Sequence, residues 1–439
     1  MSASPSNEPL IGDIEHFLQE MIEKLQASKS AQPGPGRPAI VPAFCLWAGL
    51  LVCVLRGMSS QLALWRLLSV TGLWNYPHFA VCDQAIYNRL AKGGTEPLQR
   101  FFQQLNQLLR ERLAPFALNS LAPFAKAVYA LDETHLDKVA RTLPALRKVP
   151  AGDARLLPGK LAGLFDLRLQ QWRCLEYIPE PKQNEKVMAR RMVEALPQKS
   201  LILTDLGYFG FAWFDWLTNR GYYWISRLRA KTSYIVLHCF YQQGDLFDGL
   251  VFLGKHRADQ AAHAVRLVQF RVGKRTYRYI TNVLDPKLLP IADIAQLYAR
   301  RWDIELAFKL VKRHLKLHLL WSAKIVVIQQ QIWAVLIISQ ILQALRMEIA
   351  GRAQVDPYEV SMALLVQYGP DFARDGQDPV KVFVERGRQA RFIRPSTRTT
   401  IQAPVIAHDS IEPMPDDLVL TRKPRYAQRK CHRRTNRLN

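Results

Sequence analysis

Four polar residues recur at helical spacing in the segment Y-A-R-R-W-D-I-E-L-A-F-K-L-V-K: Tyr298, Arg301, Glu305 and Lys312. At about 100° per residue, they fall within roughly 60° of one face of a single helix. A carboxylate beside two cations and a phenol suits a phosphate backbone, because the acid can hold a metal ion while its neighbours bind phosphate oxygens. The spacing therefore predicts phosphodiester chemistry, and the alternative is a solvated helix face with ordinary ion pairs.

Two aspartates follow predicted buried strands upstream of this helix. Asp132 comes after the apolar run 127–131, and Asp205 comes after the run 201–203. Ligands of open α/β sheets bind at the carboxyl ends of strands, so both acids could converge on one site with Glu305 beside them. Three carboxylates can hold two Mg²⁺ or Mn²⁺ ions for phosphoryl transfer. The alternative for each aspartate is an N-cap or turn residue.

Other acids compete for the same role. Glu133 adjoins Asp132, but period-two alternation along a strand places the two side chains on opposite faces. Asp303 points about 160° away from Glu305 around the helix, and Asp166 lies within a predicted hairpin. The pattern therefore favours the first three carboxylates as the set.

The elements that must position these acids alternate from about residue 123 onwards, as in an α/β domain. After the strand at 127–131 we expect a hairpin-like pair across 161–178, a helix near 185–196, a strand at 201–203, a helix near 211–219, a strand at 222–228, two strands joined by a glycine turn across 265–283, and one long helix at 291–315.

Three segments occur in a fixed order along this region: L-D-E-T-H, L-T-D-L-G-Y-F and Y-x2-R-x3-E-x6-K, the last preceded by I-T-N-V-L-D-P and followed by F-K-L-V-K-R-H-L. Together they resemble the DDE insertion-sequence transposases of the IS-four group, in the subgroup with the Y-R-E-K motif. The resemblance covers about 128–317. It implies an RNase H-like catalytic domain with Asp132, Asp205 and Glu305 as the acidic triad, and a strand-rich insertion before the catalytic helix.

The resemblance also implies DNA contacts beside the triad, at Tyr298, Arg301 and Lys312. Trp302, next to Arg301, could stack on an unstacked base or pack on the core. The first motif carries Glu133 where a small residue such as glycine is common among relatives. An extra charge is therefore expected beside the metal site, or pointing away from it.

The expected organisation has five parts: a helical appendage and linker (1–38), a helical region that binds DNA ends (39–122), the catalytic domain (123–322) with a β-rich insertion at about 222–284, a helical C-terminal region (323–420) and a basic tail (421–439). Within the second part, helical stretches at 59–68 and 82–90 would suit a helix-turn-helix. The alternative is a small helical bundle with no recognition helix.

The charge of the chain points to a polyanionic partner. Sixty Lys plus Arg against 37 Asp plus Glu give a net charge of +23, and residues 421–439 hold eight Lys or Arg and no acid. We therefore expect double-stranded DNA as the partner. The six cysteines form no C-x-x-C pair, which favours a reduced cytoplasm and no zinc site.

Two apolar runs could be mistaken for membrane spans. The run 39–55 is interrupted by Pro42 and is shorter than the roughly 20 residues that a spanning helix needs. The run 325–345 contains five glutamines, which are costly in lipid. Both are predicted as buried helices, and neither a membrane location nor a secretory signal is expected.

Together with the charge and composition, the resemblance implies a cytoplasmic, nucleoid-associated transposase that cuts and joins DNA at terminal inverted repeats with Mg²⁺ or Mn²⁺. Because two DNA ends must be held together, we expect a homodimer on paired ends. The alternatives are an inactive DNA-binding relative and a metal-dependent DNA nuclease.

Overall fold

The computed structural model describes residues 14–27, 40–136, 159–180, 183–256, 259–317, 320–322, 324–396 and 400–426. The chain divides into two compact units, each assembled from three stretches. Unit 1 comprises Met1–Asn119, Asp132–Asn184 and Trp302–Arg398, and unit 2 comprises Ser120–Leu131, Glu185–Arg301 and Thr399–Asn439. The predicted linker at 32–38 and most of the basic tail, from residue 427, lie outside the described residues.

The described elements confirm a mixed α/β class. The helices are α1 (Ile14–Ala27), α2 (Ala43–Leu55), α3 (Gln61–Arg66), α4 (Asp83–Lys92), α5 (Glu96–Leu113), α6 (Glu185–Glu194), α7 (Phe211–Asn219), α8 (Ile291–Arg300), α9 (Trp302–Lys309), α10 (Ile325–Ala353), α11 (Met362–Arg374) and α12 (Pro379–Arg386). The strands are β1 (Val128–His135), β2 (Lys160–Asp166), β3 (Gln171–Ile178), β4 (Leu201–Thr204), β5 (Tyr223–Arg227), β6 (Tyr234–Gln243), β7 (Leu246–Leu253), β8 (Ala264–Val272) and β9 (Arg275–Thr281).

Unit 1 is built around α10, which packs against α2, α4, α5 and α12. Its residues are apolar on all sides, as in a helix surrounded by other elements. Among the described helices only α10 is long and apolar enough to cross a membrane, and 78% of its most apolar stretch is buried. The prediction of a buried core helix over 325–345 is confirmed, and the helix continues to Ala353.

Glutamine side chains of α10 complete the hydrogen bonding of neighbouring backbone. The amide of Gln340 accepts the backbone N–H of Trp172 at 2.8 Å and donates to the Trp172 carbonyl at 3.1 Å, so it acts like an added strand residue beside β3. The amide of Gln330 donates to the carbonyls of Leu90 and Gly93 at the end of α4. The amides of Gln330 and Gln340 therefore have structural roles in this apolar helix.

The two helices proposed for a helix-turn-helix are α3 and α4. A π-helical segment, Leu67–Thr71, extends α3, and the chain then runs irregularly from Gly72 to Cys82 before α4 begins. A helix-turn-helix joins its helices by a turn of about 3–4 residues. The longer connection, and the packing of α4 on α10, favour the helical bundle.

Unit 1 also contains the hairpin of β2 and β3, which was predicted across 161–178. The two strands pair antiparallel from Lys160 opposite Ile178 to Asp166 opposite Gln171. The strand order is β3-β2-β1, and the chain passes from unit 2 to unit 1 within β1, after Leu131.

The sheet of unit 2 has the strand order β1-β4-β5-β9-β8-β7-β6. β4 pairs in parallel with β1 and with β5, and its four residues are all buried, as expected for a central parallel strand. The remaining pairs are antiparallel. Gly273, at a φ of +57°, makes the predicted tight turn between β8 and β9.

The predicted single helix over 291–315 was wrong. The chain forms α8, turns at Arg301, forms α9, and ends in a π-helical segment at Leu310–His314. The backbone N–H of Arg301 bonds the carbonyl of Tyr298 at 3.2 Å, which is a tighter turn than an α-helix makes. The stretch 400–426 belongs to unit 2, where isolated bridges join Gln260 to Arg425 and His263 to Thr421.

Candidate active site

A cleft of about 440 Å³ in unit 1 gathers acidic and basic side chains. The charged residues that line it are Asp132, Glu133, Glu305, Lys309, Lys312 and Arg313. The first two come from the end of β1, and the others come from α9 and the π-helical segment after it. The structure therefore brings together two of the three predicted acids, Asp132 and Glu305, with the predicted cation Lys312.

Asp132 lies inside β1 rather than after it. The pairing of β1 with β4 runs only from Val128 to Leu131, but the strand continues to His135 beside β2. The predicted strand end at residue 131 was wrong, because the apolar run marks the end of one pairing and not of the strand. Oδ1 of Asp132 accepts a hydrogen bond from the backbone N–H of Glu133 at 2.8 Å.

Glu133 forms a buried ion pair with Lys160, the first residue of β2. Oε2 of Glu133 lies 2.8 Å from Nζ of Lys160, and each side chain is only 5% exposed. Nζ also donates to the carbonyl of Gln183 at 2.9 Å. Glu133 and Asp132 both line the cleft, but Lys160 and Gln183, the neighbours of the Glu133 carboxylate, do not, which agrees with the predicted alternation of the two side chains.

Lys312 is fixed in the cleft by a neighbour of Asp132. Its Nζ donates to the hydroxyl of Thr134 at 2.6 Å. The π-helical segment carries Lys312 and Arg313 to the same wall as Glu305. The ammonium group is thus placed beside the two carboxylates, although the helix that was expected to do this is interrupted.

Asp205 directly follows β4 in unit 2, as predicted. The parallel pairing of β1 with β4 ends in register at Leu131 and Thr204. Oδ1 of Asp205 accepts the backbone N–H of Gly207 at 2.9 Å and caps the 3-10 helix Leu206–Tyr208. The turn role that the sequence left open for this aspartate is therefore present.

Two carboxylates lie close to Gly207, the glycine of the L-T-D-L-G-Y-F segment. A Cβ atom at Gly207 would lie 2.6 Å from Oε2 of Glu185 and 3.0 Å from Oδ1 of Asp205. A larger residue would therefore displace one or both acids. Glu185, the first residue of α6, is a neighbour of Asp205 that the sequence analysis did not single out.

Tyr298 and Arg301 belong to unit 2. The ring of Tyr298 is buried, with its centroid 5.0 Å from that of Tyr279, and the guanidinium carbon of Arg301 lies 5.8 Å from the Tyr298 centroid. Burial raises the pKa of Tyr298 to about 12, against the opposing effect of Arg301 and Arg227. The phenol is therefore protonated at neutral pH, and its contact with DNA stays a prediction.

Trp302 lines the cleft of unit 1 with a side chain that is largely accessible. The residue is 53% exposed, which is unusual for a tryptophan. The exposure leaves its ring face available for stacking and argues against the alternative of a core residue. The stacking role itself stays a prediction.

The two rival aspartates have structural partners. Asp303 is fully buried, and its Oδ2 accepts a hydrogen bond from Nε2 of Gln170 at 3.0 Å. Asp166 accepts the backbone N–H groups of Arg168 and Leu169, and burial raises its pKa. Both acids thus stabilise the β2–β3 turn, which agrees with their lower rank in the sequence analysis.

Residues 159–341 match the protein-family model described as the transposase DDE domain. The chain carries a DDE transposase domain, the catalytic domain of a transposase. The match includes Asp205 and Glu305, and it begins after Asp132.

Two known proteins are similar to the chain over most of its length. The transposase for insertion sequence element IS231F of Bacillus thuringiensis subsp. israelensis is 26% identical, and the similarity covers 67% of this chain and 69% of that protein. A piggyBac transposase, solved by cryo-EM as a synaptic complex with hairpin DNA, aligns over 91% of this chain and 88% of its own, at 9% identity and a TM-score of 0.39. That score is too low to add to the fold described above.

A DDE transposase domain implies a divalent cation. The carboxylates of Asp132, Glu133 and Glu305 are hard oxygen donors, which are the ligands that Mg²⁺ and Mn²⁺ prefer. Within the described parts of the chain, no three His, Cys, Asp or Glu side chains are grouped as a ready metal site. The carboxylates are thus ligands of the type that Mg²⁺ or Mn²⁺ prefers, but they would have to move closer together to bind one ion.

The sequence analysis missed three residues close to the candidate acids and Lys312: Lys160, Thr134 and Glu185. Thr134 could have been found from the L-D-E-T-H segment, because it lies two residues from Asp132 on the same side of a strand. Lys160 and Glu185 depend on which strands and helices become neighbours. No local pattern in the sequence indicates that.

Proposed function

We propose that this chain is an insertion-sequence transposase that moves its element by cut-and-paste transposition. It binds the terminal inverted repeats, hydrolyses phosphodiester bonds at the ends, and joins each freed 3′-hydroxyl to target DNA. The observation that carries the proposal is the parallel pairing of β1 with β4. It ends in register at Leu131 and Thr204, and an aspartate follows each of these residues, Asp132 and Asp205. Ligands of α/β sheets bind at such carboxyl ends.

Asp132, Asp205 and Glu305 are the proposed ligands of two Mg²⁺ or Mn²⁺ ions in an RNase H-like domain. Bound ions of this kind activate an attacking water or 3′-hydroxyl and stabilise the leaving oxygen. The shared cleft of Asp132 and Glu305 supports their assignment. In this proposal the carboxylates of Asp132 and Asp205 give up their backbone hydrogen bonds when they bind an ion.

The cations of the cleft are the proposed phosphate ligands. Lys312, held by Thr134, donates to a phosphate oxygen next to the scissile bond, and Lys309 and Arg313 neutralise the adjoining backbone. Trp302 stacks on a base that leaves the helix near the cleavage point. Tyr298 and Arg301 are proposed as further DNA contacts.

The net charge of +23 supports a complex with double-stranded DNA, both at the inverted repeats and at the target. The helical region at 39–122 and the basic tail supply the proposed end recognition. Two protomers assemble on paired ends, since both ends must be cut and joined together. The proposed location is the cytoplasm, at the nucleoid.

The test uses DNA that carries the inverted repeats read from the sequence flanking the gene. We expect Glu305→Gln and Asp205→Asn to lower cleavage at least about 100-fold in Mg²⁺, because several kcal/mol of charge stabilisation are lost. Binding to end DNA, measured by gel shift, should be kept. Glu111→Gln, at an exposed position on α5, is the matched control and should cleave like the wild type.

A strand-transfer assay with precut ends separates a transposase from a nuclease, because only the transposase joins them to a second DNA. Normal cleavage by Glu305→Gln would refute the assigned roles. Cleavage without any joining of precut ends would refute the transposase and leave a nuclease.

A further inference from the structure

The segment 386–394, at the end of α12 in unit 1, is rich in arginine and is called the arginine loop below. It contains four arginines, no lysine and no acid, and all four arginines are exposed: Arg386, Arg388, Arg391 and Arg394. None of their side chains is hydrogen-bonded or ion-paired to a residue that the structure describes. The loop therefore carries a concentrated positive charge that the described protein does not neutralise.

The backbone of the arginine loop is held in place on both sides. The N–H of Ile393 bonds the carbonyl of Gly387 at 2.9 Å and closes the loop. The ring of Phe392 stacks on that of Phe383 in α12, with centroids 4.5 Å apart. The arginines thus extend from a fixed backbone, which lowers the cost of ordering them on a ligand.

One of the four arginines has an unfavourable backbone conformation. Arg391 has a φ of +57°, in the left-handed region that glycine and asparagine adopt at lower cost. The side chain gains no hydrogen bond or ion pair among the described residues in return. A role in binding something outside the chain accounts for an arginine at this position.

The loop adjoins the helix that supports the basic wall of the cleft. Phe372 of α11 lies 6.0 Å from Phe392, centroid to centroid. α11 also contacts the π-helical segment that carries Lys312 and Arg313. A duplex with one phosphate in the cleft continues on either side of it and presents further phosphates to the surrounding surface.

We infer that the four arginines of the loop bind phosphates of the DNA duplex beside the cleft. A guanidinium group donates two parallel hydrogen bonds to a phosphate, and contacts of this kind position the duplex without reading its sequence. The inference rests on the proposed function, because it assumes that DNA enters the cleft. It assigns a DNA contact to the C-terminal helical region, which the sequence analysis left without a role.

The test is a triple variant of the full chain, Arg388→Gln, Arg391→Gln and Arg394→Gln. Arg386 is kept because it lies in the last turn of α12, where a cation also stabilises the helix. Affinity for a fluorescent duplex that carries the inverted repeat is measured by anisotropy over a range of salt concentrations. The slope of log affinity against log salt reports the number of phosphates that the protein contacts.

We expect the slope of the triple variant to be shallower than that of the wild type by about 2–3, since each lost phosphate contact removes about 0.9. The same three positions changed to lysine keep the charge and should keep the slope. The matched control removes the same charge from exposed cations that pair with acids: Lys24→Gln, Arg100→Gln and Arg220→Gln. Its slope should change by less than about 1.

A single substitution separates binding from folding. Arg391→Asn suits the left-handed conformation, so its melting temperature should equal or exceed that of the wild type. Its salt slope should nevertheless be shallower by about 0.9. If the triple variant does not fold, this variant carries the test.

A wild-type slope in the folded glutamine variants would overturn the inference and leave the proposed function intact, provided that the wild type binds and cuts end DNA. Equal changes in the triple variant and its control would also overturn it, because net charge alone would then explain the effect. A wild type that neither binds nor cuts end DNA would overturn both proposals.

Discussion

Each unit contains a buried ion pair, and the two are built differently. In unit 2, Arg266 of β8 and Asp248 of β7 are 0% and 2% exposed, and two parallel hydrogen bonds of 2.7 and 2.6 Å use both carboxylate oxygens. A third nitrogen of Arg266 donates to the carbonyl of Leu289 at 2.6 Å. In unit 1, the pair of Glu133 and Lys160 leaves one carboxylate oxygen without a partner among the described residues.

The two pairs differ in how completely their carboxylate oxygens are hydrogen-bonded. In the pair of Arg266 and Asp248, both carboxylate oxygens are hydrogen-bonded. The pair also links β7 and β8 to the loop before α8. In the pair of Glu133 and Lys160, one carboxylate oxygen is bonded and the other has no partner among the described residues. Burial alone would rank the two pairs as equals.

The largest effect is expected from Asp248→Ala. The substitution leaves the guanidinium of Arg266 buried without its counter-charge, and removing one partner of such a pair costs about 3–5 kcal/mol. Urea unfolding of the variant should show this loss in the free energy of unfolding. Mn²⁺ binding by the folded variant should be unchanged, because the pair lies in unit 2 and none of its residues lines the cleft of unit 1.

The control for this prediction is Asp245→Ala, because Asp245 pairs with Arg271 at 3.4 Å on the surface of the same unit. Exposed pairs contribute roughly 0–1 kcal/mol. Equal losses in the two variants would contradict the view that the Arg266 pair owes its importance to burial.

Sequence patterns predicted the elements of the catalytic region where one local signal dominated. The buried run of β4, the β2–β3 hairpin and α7 all have such signals, and the structure contains each near its predicted bounds. β6 and β7 were covered only by the broad expectation of a β-rich insertion. β6 has register shifts at Val236/His238 and at Cys239/Tyr241, and these irregularities break the period-two pattern by which a strand is recognised.

The residue types of the site could be predicted from the sequence. The local structure that positions them could be predicted only in part. The spacing of Glu305 and Lys312 indicated that they share a wall, and the cleft contains both. The turn at Arg301 and the π-helical segment were not predictable, because propensity does not distinguish an interrupted helix from a continuous one. The partner of Glu133 was also beyond the sequence, since it depends on how β2 lies beside β1.

The same contrast between satisfied and unsatisfied polar groups applies within α10. The amide of Gln340 hydrogen-bonds both the backbone N–H and the carbonyl of Trp172. By contrast, Oε1 of Gln343 has no hydrogen-bond partner in the described part of the chain. We expect Gln340→Leu to lower the free energy of unfolding by about 1–3 kcal/mol, because the N–H of Trp172 loses its partner, whereas Asn106 still donates to the Trp172 carbonyl at 3.2 Å. Gln343→Leu is the matched control and should be neutral or slightly stabilising. A larger loss of stability in Gln343→Leu than in Gln340→Leu would contradict the expectation that the hydrogen-bonded glutamine stabilises the fold more.

The smallest effect is expected at Tyr298, whose phenol is buried. The folded state keeps its proton up to about pH 12, whereas an unfolded tyrosine loses its proton near pH 10. Between these values the unfolded chain binds fewer protons than the folded one, so this residue makes stability fall as pH rises. Tyr298→Phe should therefore lessen the alkaline destabilisation by about 1 kcal/mol at pH 11, measured by urea unfolding against pH.

Tyr279 contributes in the same direction, since burial raises its pKa as well, so part of the alkaline loss should persist. Tyr368→Phe, which removes an exposed phenol, is the control for loss of a hydroxyl group. If Tyr298→Phe instead weakens binding to end DNA at neutral pH and keeps the wild-type alkaline profile, the phenol contacts DNA and its burial does not set the alkaline stability.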